Sequence, residues 1–92
     1  MTRTKVYIKK PKIRERKIKD EGVLGWAYQD DFEIEIDPRQ SSKEYCNTIL
    51  HEVAHVWFPD LSERQVIKFA DILTDILWSR NYRRVLKGKV RR

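Results

Sequence analysis

Cysteine, histidine and long apolar runs are all scarce in this 92-residue chain. Its single cysteine, Cys46, excludes an internal disulfide and favours an intracellular, cytoplasmic location. The longest apolar run, residues 53–58 with His55 inside it, is far too short to cross a bilayer. The first residues lack the continuous apolar stretch of a secretory signal. We therefore expect no membrane contact, no export and one small domain spanning residues 1–92.

Charge is unevenly distributed along the chain, whose net charge is +6. Residues 1–19 contain nine Lys or Arg and one acid, and residues 80–92 contain seven Lys or Arg and no acid. Residues 20–79 contain four Lys or Arg and thirteen acids. Basic termini of this kind can bind nucleic acid or an acidic partner, although charge runs more often only keep a chain soluble. Both interpretations stay open at this point.

The first third of the chain predicts short strands. Residues 4–9 alternate between polar and apolar before Pro11, which is typical of a short edge strand. Residues 13–20 are mostly charged and fit a strand or a helix. The glycines in residues 21–25 then predict a turn.

A β-hairpin is predicted from residues 26–28 and 32–37. The second segment alternates regularly, which predicts a half-buried strand. We interpret its acidic side as a solvent-facing surface that prevents edge-to-edge aggregation. The apolar side consists of Phe32, Ile34 and Ile36, and the acidic side of Glu33, Glu35 and Asp37.

Two helices are predicted from two capping boxes. Ser41 and Glu44 have the spacing of one box, which predicts a helix from about residue 42 to Phe58, where Pro59 ends it. Ser62 and its partner three residues later predict a second helix to about residue 80. The apolar stripe predicted for the first helix is Cys46, Ile49, Leu50, Val53, Val56 and Trp57; that of the second is Val66, Phe69, Ala70, Leu73, Ile76 and Leu77.

The segment His51-Glu52-Val53-Ala54-His55 contains both histidines of the chain. Residues four apart share one face of a helix, so His51 and His55 can offer two imidazole nitrogens to a single tetrahedral ion. Glu52 points about 100° away and can reach a metal-bound water without being a ligand. The two histidines lie nearly opposite the predicted apolar stripe, which argues against a core role. The spacing therefore predicts a catalytic Zn²⁺ site with Glu52 as general base.

A catalytic zinc site needs a third protein ligand, and without another histidine this ligand must be a carboxylate. Glu63, in the first turn of the second helix, is favoured because it lies toward the flank of the apolar stripe. Asp60 in the preceding turn is the alternative, although an acid there is also ordinary turn chemistry. The remaining alternatives are Asp71 and Asp75 of the second helix, which are expected to project toward solvent, and a site completed by solvent.

These residues resemble the zincin metallopeptidases, specifically minimal phage-type zincins related to the SprT-like and ImmA/IrrE-like groups. The resemblance covers about residues 24–80 and rests on three segments: Ile34-Glu35-Ile36-Asp37-Pro38, Thr48-Ile49-Leu50-His51-Glu52-Val53-Ala54-His55, and Phe58-Pro59-Asp60-Leu61-Ser62-Glu63 with Phe69-Ala70. It implies zinc on His51 and His55, catalysis by Glu52, and a carboxylate ligand that maps onto Glu63. It also implies that residues 32–37 bind an extended substrate by edge pairing.

Two features depart from related groups. Phe58 and Leu61 stand where metzincins have a glycine and a third histidine, and the third histidine of SprT-like proteases is also missing. The oxyanion-stabilising residue stays open between an arginine and one of three tyrosines, Tyr28, Tyr45 and Tyr82.

The sequence thus predicts an α+β fold in which a small antiparallel sheet packs on two helices with zinc between them. The predicted function is hydrolysis of peptide bonds in a protein or peptide substrate. The alternative is a module that binds nucleic acid or another partner through its basic termini and uses zinc only to hold the fold.

Overall fold

The computed structural model describes residues 9–86, 89 and 90. These residues form short strands and two longer helices. In chain order the elements are β1 (Lys12–Glu15), β2 (Gly25–Tyr28), β3 (Glu33–Ile36), α1 (Ser42–Trp57), α2 (Glu63–Ser79), β4 (Val85–Leu86) and β5 (Lys89–Val90). The predicted α+β fold class is confirmed. The strand predicted at residues 4–9 lies, except for Lys9, outside the described residues.

Both helices begin at the predicted capping boxes. The Glu44 N–H donates to Ser41 Oγ at 3.3 Å, and the Ser41 N–H donates back to Glu44 Oε1 at 3.2 Å. Ser62 and Gln65 make the same reciprocal pair at the start of α2. Each box satisfies two N–H groups that a helix end otherwise leaves unpaired. Within the described residues, neither helix is long and apolar enough to span a membrane.

The three-stranded sheet has the order β1-β3-β2. β2 and β3 form the predicted antiparallel hairpin, with Gly25 opposite Ile36 and Ala27 opposite Ile34. β1 pairs with β3 in parallel, so the sheet is mixed and not wholly antiparallel as predicted. The reason is topological: the chain reverses direction between β1 and β2 and again in the hairpin, so β1 and β3 run the same way.

β3 is the central strand, so the prediction that its acidic side guards an exposed edge is wrong. Glu35 and Asp37 are only 5% and 4% exposed. The Arg16 guanidinium and the Tyr28 hydroxyl donate to Glu35 and lower the pKa of that carboxyl. Asp37 accepts from Arg39 Nη2 at 2.6 Å and from the Ile18 N–H at 3.0 Å, and these bonds lower its pKa. The carboxylates therefore hold the sheet to its flanking segments.

α1 packs between the sheet and α2. Its buried positions, Tyr45, Thr48, Glu52 and Val56, recur at helical spacing and face the sheet. A second side, which includes the buried Ala54, packs toward α2. The predicted apolar stripe of α1 is wrong at its last residue, because Trp57 is 45% exposed and not buried. The core cluster is formed by Ile34, Ile36, Tyr45 and Val56, with Ala27, Phe32, Ile49 and Val53 packed against it.

α2 contacts α1 and, among the described elements, no strand of the sheet. Its buried positions are Val66, Ala70 and Thr74. Phe69 and Ile76 from the predicted stripe are exposed, because α1 is the one described element that packs against α2. The prediction of one broad buried stripe on α2 is therefore only partly right.

The segment after α2 is attached to the core by two arginines. Arg83 stacks over the Trp78 ring, with 4.6 Å between Cζ and the ring centroid. Arg84 lies 3.8 Å from the Tyr45 ring centroid and contacts Glu15 Oε1 at 3.1 Å. Burial, with the bond to Glu15 as a second cause, raises the pKa of Tyr45 to about 12. Part of the basic C-terminal charge is therefore used inside the fold.

Candidate metal centre

The short connection between the helices brings the start of α2 beside the last turns of α1. The Phe58 N–H donates to Ala54 O at 2.8 Å and ends α1, and the Leu61 N–H donates to Phe58 O at 3.0 Å to close the turn. Ser62 then caps α2 directly. Because so few residues separate the two helices, they lie side by side, and Glu63 in the first turn of α2 faces the histidines of α1.

Three side chains converge there. His51 Nε2 and His55 Nε2 are 3.1 Å apart. Glu63 Oε1 lies 2.9 Å from His51 Nε2, and Glu63 Oε2 lies 2.8 Å from His55 Nε2. Bonds of about 2.0–2.1 Å to a tetrahedral ion place ligand atoms about 3.3 Å from one another. The spacing of these two imidazoles and the carboxylate is close to that requirement.

Glu52 belongs to the same group. One ligand atom from each of His51, Glu52 and His55 lies within 4.8 Å of the others, so this group could hold a metal ion. Unlike the half-buried histidines, Glu52 is only 8% exposed, because it lies on the side of α1 that packs against the sheet. Burial, together with the negative charge of Glu63, raises the pKa of Glu52 to about 7. This carboxyl can therefore hold or release a proton near neutral pH.

Gly25 allows the strand β2 to approach Glu52 closely. A Cβ at position 25 would lie 2.8 Å from Thr48 Cγ2 and 3.0 Å from Cγ and Oε2 of Glu52. The sequence prediction placed Gly25 in a turn, whereas it is the first residue of β2. A glycine directly before the Trp26-Ala27-Tyr28 segment was the available signal, since glycine in a strand often marks a close approach of another group.

A cleft of about 710 Å³ opens over these groups. One wall is the chain from Gly22 to Ala27, which includes most of β2, and the other consists of α1 and the start of α2. β2 pairs with β3 on one side only, so its other edge is free among the described strands. Within the described part of the chain, no Lys or Arg lines the cleft, and the acids that line it are Glu52, Glu63 and Asp30.

Gln29 in the hairpin turn was not singled out by sequence reasoning. Its side-chain amide donates to His55 O at 2.8 Å, and its side chain also lines the cleft. This bond joins the hairpin to the C-terminal turn of α1. A glutamine in a turn carries no sequence signal for such a contact, because its partner is a backbone carbonyl remote in the chain.

The other candidate ligands lie elsewhere. Asp60 is exposed in the turn before α2. Asp71 accepts from Asn47 Nδ2 at 2.9 Å, and Asp75 Oδ1 lies 3.3 Å from Lys43 Nζ. Both side chains are exposed as predicted, but they contact the N-terminal half of α1, away from the histidines.

None of the three tyrosines considered for oxyanion stabilisation lines the cleft. Tyr28 donates to Glu35 on the far side of the sheet, and Tyr45 donates to Glu15 at 2.7 Å. Tyr82 is 65% exposed beyond the end of α2. No arginine of residues 9–86 lines the cleft either, so none of the proposed oxyanion donors among these residues lies there.

No protein-family model, curated protein or solved structure matches this chain. The candidate metal centre therefore rests on the structure, in which His51, Glu52 and His55 converge and Glu63 contacts both histidines.

Proposed function

We propose that this chain is a zinc-dependent metallopeptidase whose active site is the cleft between β2 and the two helices. The observation that carries the proposal is the contact of the Glu63 carboxylate with both histidine Nε2 atoms, at 2.9 and 2.8 Å, beside a buried acid. Two imidazoles and one carboxylate, with a position left for water, are a donor set typical of catalytic zinc.

His51, His55 and Glu63 would hold the ion. Their nitrogen and oxygen donors suit zinc, and their contacts of 2.8 to 3.1 Å are near the edge length of a tetrahedral site. Zinc, when bound, lowers the pKa of a coordinated water toward about 7 and polarises the carbonyl of the bond to be cleaved. His51 and His55 are only partly buried and line the cleft, so the site is open to it.

Glu52 would move the proton. Its carboxylate takes a proton from the attacking water and gives it to the leaving amine, so the carbon–nitrogen bond breaks as the amine becomes neutral. A base with a pKa of about 7 is suited to both directions of transfer near neutral pH. Gly25 packs closely against the Glu52 side chain and covers it on the side of the sheet.

The substrate would bind in extended form along the free edge of β2. The resemblance to zincins implies edge pairing with residues 32–37, but β3 has a strand on each side and offers no edge. β2 has one free edge, and Gly22 to Ala27 line the cleft. Added strands of this kind are held mainly by backbone hydrogen bonds, so the sheet can bind a peptide although it is small.

The test compares zinc content and cleavage of an unfolded protein substrate in three variants. Glu52→Gln should keep zinc and abolish cleavage, whereas His51→Ala should lose both. Glu44→Gln is the matched control, since it makes the same change on the same helix and keeps a side chain that can complete the capping box. The control should match wild type. Cleavage by Glu52→Gln at the wild-type rate would refute the role of Glu52 and, with it, the proposed peptidase.

A further inference from the structure

The sheet has one face that no other described element covers. α1 packs against the opposite face, and neither α2 nor the β4–β5 hairpin contacts the sheet. A Cβ on Gly25 would point toward α1. Because side chains alternate between the two faces of a strand, Trp26 and Tyr28 point away from α1. We call this uncovered surface the outer sheet face; it is formed by Lys12, Arg14, Arg16, Trp26, Tyr28, Glu33 and Glu35.

Two aromatic rings stand in a row on the outer sheet face. Trp26 and Tyr28 are 39% and 38% exposed, so more than a third of the surface of each residue is open to solvent. Neither ring belongs to the core cluster. Alternate residues of a strand are about 6.6 Å apart, so the two rings form adjacent platforms along β2.

A row of arginines lies across the sheet from the two rings. Arg14 contacts both Glu33 and Glu35, and Arg16 Nε contacts Glu35 Oε2 at 2.6 Å. The Glu35 side chain is only 7% exposed, whereas those of Arg14 and Arg16 are 55% and 48% exposed. The acids thus lie beneath the guanidinium groups and fix their orientation, and an approaching partner meets positive charge first.

The segment that contains β1 and these arginines is strongly basic. Residues 9–19 contain seven Lys or Arg and one acid, Glu15. Glu15 is turned to the other side, where it contacts Tyr45 and Arg84. The metallopeptidase proposal uses none of this charge. Part of the basic N-terminal region is therefore a fixed edge of the sheet.

We propose that the outer sheet face binds single-stranded nucleic acid, with bases stacked on Trp26 and Tyr28 and the backbone phosphates on the basic strand β1. Aromatic platforms next to a positively charged track are the combination by which proteins bind single strands without reading sequence. An acidic protein partner would use the cations but has no need of two exposed rings in a row. Trp26 also belongs to the wall of the cleft, whereas the other residues of the outer sheet face do not line it. Binding of nucleic acid at this face does not depend on the peptidase proposal.

The test measures binding of a fluorescently labelled oligothymidylate to the full chain. Trp26→Leu should weaken binding by between about 5-fold and about 150-fold, the effect of losing one stacked base. Tyr28→Leu should weaken it similarly, whereas Tyr28→Phe keeps the ring and should bind as wild type. Equal loss in Tyr28→Phe and Tyr28→Leu would show that Tyr28 acts only through its bond to Glu35 and would overturn its role as a platform. Circular dichroism of each variant verifies the fold.

The basic strand is tested with a matched pair of lysines. Lys12→Gln should weaken binding and reduce the slope of log affinity against log salt by about 0.7, the value for one lost phosphate contact on a single strand. Lys68→Gln removes the same charge from the exposed surface of α2 and should have no effect. Equal losses in both variants would overturn the proposal, because binding would then follow net charge alone. Polyglutamate binding that is as tight and as dependent on Trp26 would overturn it in favour of an acidic protein partner.

Discussion

Gly25 and Glu52 face each other across the contact between β2 and α1, and a Cβ at position 25 would lie 3.0 Å from both Cγ and Oε2 of Glu52. This relationship joins the wall of the cleft to the residue proposed to move the proton. It also explains how a carboxylate can be buried in so small a protein: the strand that covers it has no side chain at the point of contact.

Gly25→Ala should therefore impair catalysis more than metal binding. The added methyl group must displace Thr48, Glu52 or the strand, and we expect a loss of about 1–3 kcal/mol in the free energy of unfolding. A small misplacement of Glu52 should lower kcat by up to about 100-fold. Zinc affinity should change little, because the contacts among His51, His55 and Glu63 do not involve Gly25. The measurements are urea unfolding, zinc titration and single-turnover cleavage.

A second substitution separates packing from catalysis. Thr48→Ser in the Gly25→Ala background removes the methyl group that a Cβ would meet at 2.8 Å. Stability should recover in part, while cleavage should stay low because the contact with Glu52 remains. Full recovery of cleavage together with stability would mean that Gly25 matters only for folding.

Glu63 should be the carboxylate that completes the metal centre. Glu63→Gln removes the charge that contacts both histidines and should lower zinc affinity by at least about tenfold. Asp60→Asn is the matched control, because Asp60 was the other candidate in the sequence and lies exposed in the adjacent turn. Competition with a chromophoric chelator measures both affinities. The reverse result, with loss only in Asp60→Asn, would move the site to the turn.

Glu52 should make the metal-free protein less stable as the pH rises. Its folded-state pKa of about 7 is above the unfolded value, so the folded state favours the protonated form. The resulting penalty is absent below the unfolded pKa and grows as the pH rises through the folded one. With a chelator present, Glu52→Gln should therefore be more stable than wild type at pH 8, by up to about 3 kcal/mol. The gain should disappear near pH 4, and a gain that is the same at both pH values would contradict the assignment.

The acids of β3 should have the opposite dependence on pH. Bonds from arginines lower the pKa of Glu35 and of Asp37, so the stability they contribute is present above their unfolded pKa and is lost as the pH falls through the folded one. Asp37→Asn should lower the melting temperature at pH 7 and flatten its decline in acid. Asp31→Asn, in the exposed hairpin turn, should leave both unchanged. Thermal unfolding between pH 2 and pH 7 makes the comparison.

The sequence predicted features that depend on near neighbours in the chain. The capping boxes at Ser41 and Ser62 set the helix starts, and alternation in residues 32–37 identified β3, because each signal is contained within a few residues. His51 and His55 lie on the same face of α1 because residues four apart in any helix do so. Glu63 could be favoured as the third ligand because the short turn between the helices keeps the start of α2 close to the two histidines.

Features set by distant contacts were missed. The parallel pairing of β1 with β3 depends on which edge the chain joins after its first reversal, and alternation within β1 does not record this. The burial of Glu35 depends on arginines 19 and 21 residues earlier in the chain. The exposure of Trp57 depends on where α2 packs, so an apolar stripe alone overestimated the buried surface of α1.

The most direct test of the metal centre is anomalous diffraction at the zinc edge from crystals of the protein grown with zinc. We expect one strong peak in contact with His51 Nε2, His55 Nε2 and an oxygen of Glu63, at bond lengths of about 2.0–2.2 Å. A zinc-loaded crystal with no peak at the two histidines, or with the ion held at another position, would contradict the account.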